Sequence, residues 1–305
     1  MLAILAPGQG SQSPGMLSPW LEIAGVREKI EQWSELSGRE LLRLGTTAGV
    51  DEVRDTSNAQ VLIVATSLLS WHLMRGEISG DSLLFAGHSV GEISAAYFAG
   101  VLDEEDAIRV VANRGNVMAS ASSEKKSGMS AILGGAREDV IVRLQELNLE
   151  AANENGAGQI VAAGLIRDLE RLSEHPPSGA RVRRLEVAGA FHTHHMSSAQ
   201  LLFQSFVRTI EFRNPDSILL SNRDGSVINS GDDVKERLVS QISSPVRWDL
   251  CMKQMRELGV TDLLEVAPGG TLIGLIKREL PEVRTFAIKG PSDLDSAQEF
   301  LAKAQ

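Results

Sequence analysis

The stretch Gly87-His88-Ser89-Val90-Gly91 sets a serine between two glycines, after the apolar run "SLLFA" and before a good helix former. G-x-S-x-G at a strand-to-helix junction is the nucleophile-elbow arrangement. Glycines on both sides remove Cβ atoms that would clash in so sharp a turn. The serine then stands at the first turn of a helix. Unpaired backbone N–H groups and the positive dipole end would stabilise an oxyanion beside it. The chemistry on offer is nucleophilic catalysis through Ser89. The same residues also suit an ordinary tight turn in which Ser89 only caps the helix.

A serine nucleophile needs a base. Of the six histidines, three stand together in "AGAFHTHHM", as His192, His194 and His195. H-x-H-H can also be read as a metal site, but neither an H-E-x-x-H spacing nor cysteine ligands accompany it. His88 lies on the wrong side of a tight elbow for a base and could instead help fix the turn. A third stretch, "APGQGSQ", follows the first apolar run. It is a near miss for the dinucleotide fingerprint: Gly8 and Gly10 fit G-x-G-x-x-G, but position 13 is Ser13. Such a loop still offers backbone N–H groups to an anion. Folds that carry a nucleophile elbow usually take one oxyanion donor from a neighbouring loop of this kind.

The elements that must position these residues alternate along the chain. "LAILAP", "SLLFAGHS", "SILLS" and "DLLEVAP" read as buried strands. "SNAQVLIVATSLLSWHLM", "VGEISAAYFAG", "EEDAIRVVANRGNVMASA", "DVKERLVSQI", "WDLCMKQMREL" and "TLIGLIKREL" read as helices. Strands buried on both faces and separated by helices predict an α/β fold with a mostly parallel sheet, α/β-hydrolase-like given the elbow. The middle of the chain differs. "GMSAILGG", "QIVAAGL" and "RVRRLEVAG" read as short strands interleaved with the helices "REDVIVRLQELN" and "LIRDLERLSEH". Two βαβ-like units suit a ferredoxin-like subdomain. It is expected at 121–188, inserted into a catalytic domain of 1–120 and 189–305. "ASASSEKKSG" is the expected linker into it and "AGAFH" the one out.

Composition narrows the function. The 305 residues are 43% hydrophobic with a net charge of −10, enough for a large core and a poor match for nucleic acid. The lone cysteine, Cys251, rules out a disulfide framework and reads as a small buried side chain in a helix. The short apolar N-terminus lacks a basic region and a cleavage site, and no apolar run is long enough to span a membrane. A cytoplasmic protein and a monomer are expected.

Taken together, "PGQGSQ" at 7–12, "GHSVGE" at 87–92, "RGNVM" at 114–118, "NENGAGQIVAAG" at 153–164, "FHTHHM" at 191–196, "SQISSPVRW" at 240–248 and "EVAPGGTLIGL" at 265–275 resemble the malonyl-CoA:acyl-carrier-protein transacylases, the acyltransferases of type II fatty acid synthesis. The resemblance runs nearly end to end. It implies Ser89 as nucleophile, His192 as base, and the main-chain carbonyl of Gln241 as the group that orients the histidine. It implies the backbone N–H groups of Gln9 and Val90 as the oxyanion hole and Arg114 as the partner of the free malonyl carboxylate. Met118 and Asn155 are implied as pocket-lining residues, and Phe191, before the base, as a mark of malonyl selectivity. Arg114 could otherwise be a solvated helix arginine, although Val110, Val111 and Val117 make its surroundings partly apolar. No metal or other cofactor is implied; the substrate is a coenzyme A thioester and the partner acyl carrier protein. Arg181, Arg183 and Arg184, with Lys125 and Lys126, are candidates for a basic docking patch, or are scattered solvated charges. A polyketide pathway remains an alternative to fatty acid synthesis, as does a serine hydrolase with the same elbow.

Overall fold

The computed structural model describes residues 1–77 and 83–304. Two strands precede the middle of the chain, β1 (Leu2–Ala6) and β2 (Leu83–Gly87). Ser82, the expected first residue of the second, lies outside the described residues. Four strands follow, β3 (Ser127–Gly134), β4 (Glu150–Glu154), β5 (Gln159–Leu165) and β6 (Ala180–Arg184). The rest are β7 (Ile218–Leu220), β8 (Val227–Ile228), β9 (Val246–Arg247), β10 (Asp262–Glu265) and β11 (Arg284–Ala287). They form two sheets, ordered β11-β10-β1-β2-β7-β8 and β6-β3-β5-β4-β9.

In the first sheet every pairing from β11 to β7 is parallel, and only β8 runs antiparallel at the edge. Parallel strands need both faces covered, and the period of two shows how. On β1, Leu2, Ile4 and Ala6 enter one apolar core, while Ala3 and Leu5 enter the other. On β2, Phe85 joins the first core, and Leu84 and Ala86 the second. One face is packed by the helix Thr56–Met74, buried on nearly all sides, and the other by Trp248–Glu257 and Thr271–Glu279. The five parallel strands therefore point their carboxyl ends at a common edge, where β1 delivers the glycine loop and β2 the elbow.

The second sheet is antiparallel through β6, β3, β5 and β4, and β9 adds a parallel strand beside β4. Ile132, Ile160 and Ala162 on one of its faces pack with Val140, Leu144, Leu169 and Leu172 from the helices Arg137–Glu146 and Ile166–Glu174. Met129, Val161 and Ala163 on the other face join the larger core. Two expectations are corrected here. The stretch at 119–128 is not a linker: the helix Glu104–Glu124 runs through its first half and β3 begins at Ser127. Ala121 and Ser122 are buried, so packing carries the helix past the Ser-rich composition. The sheet also takes in β9, a two-residue strand with no pattern long enough to read from sequence.

Candidate active site

The elbow turns where the sequence places it. A Cβ on Gly87 would lie 2.0 Å from the carbonyl carbon of Gly91, and one on Gly91 would lie 2.3 Å from the carbonyl oxygen of Ala6. Only glycine fits either position. Between them Ser89 holds φ at 53°, the left-handed region that non-glycine residues rarely adopt. The strain is held by Asn222. Its Oδ1 accepts the Ser89 N–H at 2.7 Å, and its Nδ2 donates to the Gly87 carbonyl at 2.7 Å. The helix Gly91–Phe98 starts directly after, and the amides of Gly91, Glu92 and Ile93 donate to the His88, Ser89 and Val90 carbonyls.

His192 Nε2 lies 2.7 Å from Ser89 Oγ, and Nδ1 lies 2.7 Å from the Gln241 carbonyl. The carbonyl is an acceptor only, so it fixes the proton on Nδ1 and leaves Nε2 free to take one from serine. His192 is itself left-handed, with φ at 60°. Burial, then the positive charge of Arg114, push its pKa down to about 3, so the imidazole is neutral and available as a base.

Arg114 is not the solvated arginine its sequence surroundings allow. It is 1% exposed. Its guanidinium donates to Gln60 Oε1 at 2.7 Å, to Gln241 Oε1 at 2.8 Å and to Ser89 Oγ at 3.3 Å. Its Nε is buried and has no hydrogen-bond partner among the described residues. Burial lowers the guanidinium to about 10, with the Glu92 carboxylate pulling the other way, so it stays charged near neutral pH. Among the described residues no carboxylate forms an ion pair with it. Buried charges normally have such a partner.

These groups meet at a cavity of about 380 Å³. Gln9, Ser89, Arg114, Met118, Asn155, Phe191 and His192 all line it, and Met129 and Val161 of the second sheet form part of its wall. Val90 is buried beneath the elbow, and Gln241 reaches the site through its bonds to His192 and Arg114. Among the described residues the backbone N–H groups of Gln9 and Val90 donate to no protein acceptor. Asn155 Oδ1 meets His88 Nε2 at 2.9 Å, tying the elbow to the end of β4. The other two histidines of the cluster do not join: His194 Nδ1 meets Glu150 instead. Among the described residues no group of three or more potential ligands is placed to hold a metal. Cys251 is fully buried, its thiol pushed well above the usual range by burial.

Sequence reasoning missed Gln60, Glu92 and Asn222, all nearly or wholly buried. Glu92 lies inside the quoted "GHSVGE", but nothing local marks it as more than a first-turn acid. Its Oε1 accepts the Asn222 N–H and its Oε2 the Gln241 Nε2–H, both at 2.5 Å.

The acyl transferase domain family matches residues 5–301. A malonyl CoA-acyl carrier protein transacylase of Mycobacterium tuberculosis is 50% identical over 297 residues, covering 97% of this chain and 98% of that one. The crystal structure of MCAT from Mycobacterium tuberculosis superposes with a TM-score of 0.94 at 49% identity, over 97% of this chain and 99% of the other. A type II PKS acyl-carrier protein in complex with its malonyl-transacylase gives 0.92 at 31% identity, over 98% and 99%. Shared sequence over almost the whole of both chains, with the same fold, shows that this chain belongs to the acyl transferase family, among the malonyl CoA-acyl carrier protein transacylases.

Proposed function

We propose that this enzyme carries malonyl groups from malonyl-CoA to the pantetheine thiol of acyl carrier protein by a ping-pong route through Ser89, supplying fatty acid synthesis. Ser89 Oγ attacks the thioester carbonyl as His192 Nε2 takes its proton. The tetrahedral oxyanion is met by the N–H groups of Gln9 and Val90. His192 returns the proton to the coenzyme A sulfur, which leaves, and malonyl-Ser89 remains. The pantetheine thiol then gives its proton to His192, attacks the ester and departs with the malonyl group. The steps use only the side chains and amides named, with no metal or redox cofactor.

The observation that carries the malonyl reading is Arg114. A buried guanidinium lies 3.3 Å from the nucleophile and, among the described residues, has no carboxylate partner and an unbonded Nε–H. A substrate carboxylate one carbon beyond the reacting carbonyl supplies the missing charge. Met118 and Phe191 close the apolar side of the same cavity.

In this reading residues 1–120 and 189–305 form an α/β-hydrolase-like catalytic domain, and 121–188 a ferredoxin-like insert. The strand and helix order of the insert and its β6-β3-β5-β4 pairing support it. The protein acts as a cytoplasmic monomer; among the described residues no helix is long and apolar enough to cross a membrane. Arg181, Arg183 and Arg184 dock the acidic carrier protein. They are exposed on β6 and, among the described residues, pair with no acid. Leu185 and Val187, just beyond them, line the cavity. Lys125 and Lys126 extend the patch. The test is a rapid-quench experiment with labelled malonyl-CoA alone. One equivalent of acyl-enzyme should form without steady hydrolysis, then discharge when holo acyl carrier protein is added. Continuous release of free malonate would identify a hydrolase instead.

A further inference from the structure

Glu92 is a buried acid that the mechanism does not use. It is 6% exposed, and no basic side chain among the described residues forms an ion pair with it. Burial raises its carboxyl to about 8, against the pull of the Asn222 N–H and the Arg114 charge, so near neutral pH it is largely the neutral acid. Both oxygens are occupied by N–H donors, Asn222 on one and Gln241 Nε2 on the other. The other end of the same Gln241 amide, Oε1, accepts from Arg114 at 2.8 Å. Both Glu92 oxygens accept here, and a guanidinium only donates. Gln241 Nε2 also donates to the Ser89 carbonyl at 3.2 Å and to Asn222 Oδ1 at 3.4 Å, so the glutamine has one orientation that satisfies both ends. Turned over, it would aim N–H at the guanidinium and its oxygen at the Glu92 and Ser89 oxygens.

We propose that Glu92 is a positioning residue for acyl selectivity: it locks the Gln241 side-chain amide so that its oxygen holds Arg114 in the orientation that receives the substrate carboxylate. The lock acts without neutralising Arg114, since an uncharged amide stands between the acid and the guanidinium. A carboxylate in direct contact would occupy the guanidinium that malonyl needs. Gln241 thus serves two ends at once, its main-chain carbonyl on His192 and its side chain on Arg114. The proposal rests on the malonyl-recognition reading above.

The test is kcat/KM for malonyl-CoA and acetyl-CoA on four proteins: wild type, Glu92→Gln, Arg114→Ala and the double variant. Glutamine at 92 must offer its oxygen to the fixed Asn222 N–H, which leaves an NH2 facing Gln241. The Gln241 amide then loses its acceptor at that end, and its hold on Arg114 is weakened although the Ser89 carbonyl still accepts from Nε2. Glu92→Gln should lower the malonyl-to-acetyl ratio by roughly 10- to 100-fold, the worth of a hydrogen bond to a charged group. Glu92→Asp, which keeps a carboxyl, should recover part of that loss. In the Arg114→Ala background, Glu92→Gln should change either rate by no more than about 2-fold, because no guanidinium is left to misplace. Equal loss of both substrates in Glu92→Gln, an unchanged ratio, or the full effect surviving without Arg114 would each overturn the proposal. Arg114→Ala slowing both substrates alike would instead overturn the malonyl reading beneath it.

Discussion

Ser89 and His192 meet at 2.7 Å, and both hold left-handed backbone, with φ at 53° and 60°. Two non-glycine residues in that region at one site carry strain of about 1–3 kcal/mol each. The surrounding bonds hold it: Asn222 on Ser89, and on His192 the Gln241 carbonyl together with the Ile242 carbonyl, which accepts the His192 N–H at 3.2 Å. The sharp turns bring the hydroxyl and imidazole out of their elements and toward each other. Relaxing either backbone would separate them.

Ser89→Ala should abolish the malonyl-enzyme adduct seen by intact-protein mass spectrometry. The fold should survive, because the bonds that hold the elbow run through the Ser89 main chain. Cys251 is no substitute nucleophile, buried and with its thiol donating to the Ser221 carbonyl. An adduct that persists in the variant, or maps to Cys251, would refute the assignment.

Asn222→Ala should damage stability and rate together. It removes two bonds to the elbow and leaves a buried Ser89 N–H and Gly87 carbonyl to find other partners. The loss should be about 1–3 kcal/mol for each unsatisfied group, read from urea unfolding. kcat should fall for malonyl and acetyl transfer alike, since the elbow serves both. A variant as stable and active as wild type would show that the elbow needs no such support.

The frame of this site was legible because its signals are local. Five buried residues in a row mark β1, and glycines two residues either side of Ser89 mark the turn. What could not be read is the network behind it. Asn222 lies 133 residues from Ser89, and Gln241 lies 149 from Glu92. Polar residues that meet only in the folded chain leave no periodicity, and each alone reads as a surface side chain. Choosing His192 from three neighbouring histidines likewise came from the family resemblance, not from the spacing. The helix's last turn, 122–124, went unread, and 119–121 were read both as helix and as linker, because alanine and serine suit a helix end and a linker equally; tertiary packing decided between them.

Phe191→Ser should relax selection against α-branched acyl groups. Phe191 is 5% exposed, lines the cavity and directly precedes His192. One extra methyl in a tight apolar site shifts discrimination by about 1–3 kcal/mol, so the relative kcat/KM for methylmalonyl-CoA should rise roughly 10- to 200-fold. An unchanged ratio of the two substrates would place the selectivity elsewhere.

Arg114→Ala should lower kcat/KM for malonyl-CoA by roughly 30- to several-thousand-fold, the cost of leaving one member of a buried charge pair alone. Acetyl-CoA, with no carboxylate to pair, should react little more slowly. Arg114→Lys should recover only part of the loss, because an ammonium cannot meet Gln60, Gln241 and a carboxylate in the guanidinium's planar fork. Equal losses for both substrates in the alanine variant would make Arg114 structural.

The pH profile follows from His192. Its pKa of about 3 lies below the ordinary histidine value, first through burial and then through the Arg114 charge. In the proposed mechanism the active form is the neutral imidazole, so activity should be present above the folded pKa and lost as pH falls through it. A histidine at its ordinary value would lose about 30-fold in kcat/KM between neutral pH and pH 5. Here Ser89 acylation in single-turnover assays should stay nearly flat across that interval. In Arg114→Ala, followed with acetyl-CoA, the acid limb should move upward because the second cause of the depression is gone. The same shift has a stability consequence of definite sign. Below about pH 6.5 the unfolded chain takes up a proton at this residue that the native state refuses, so wild type should lose stability as pH falls. His192→Gln, which cannot titrate, should lose less over the same range in urea unfolding. A half-loss of wild-type acylation near pH 6.5 would mean that His192 titrates as a solvated histidine, and would overturn the account of a buried, neutral base.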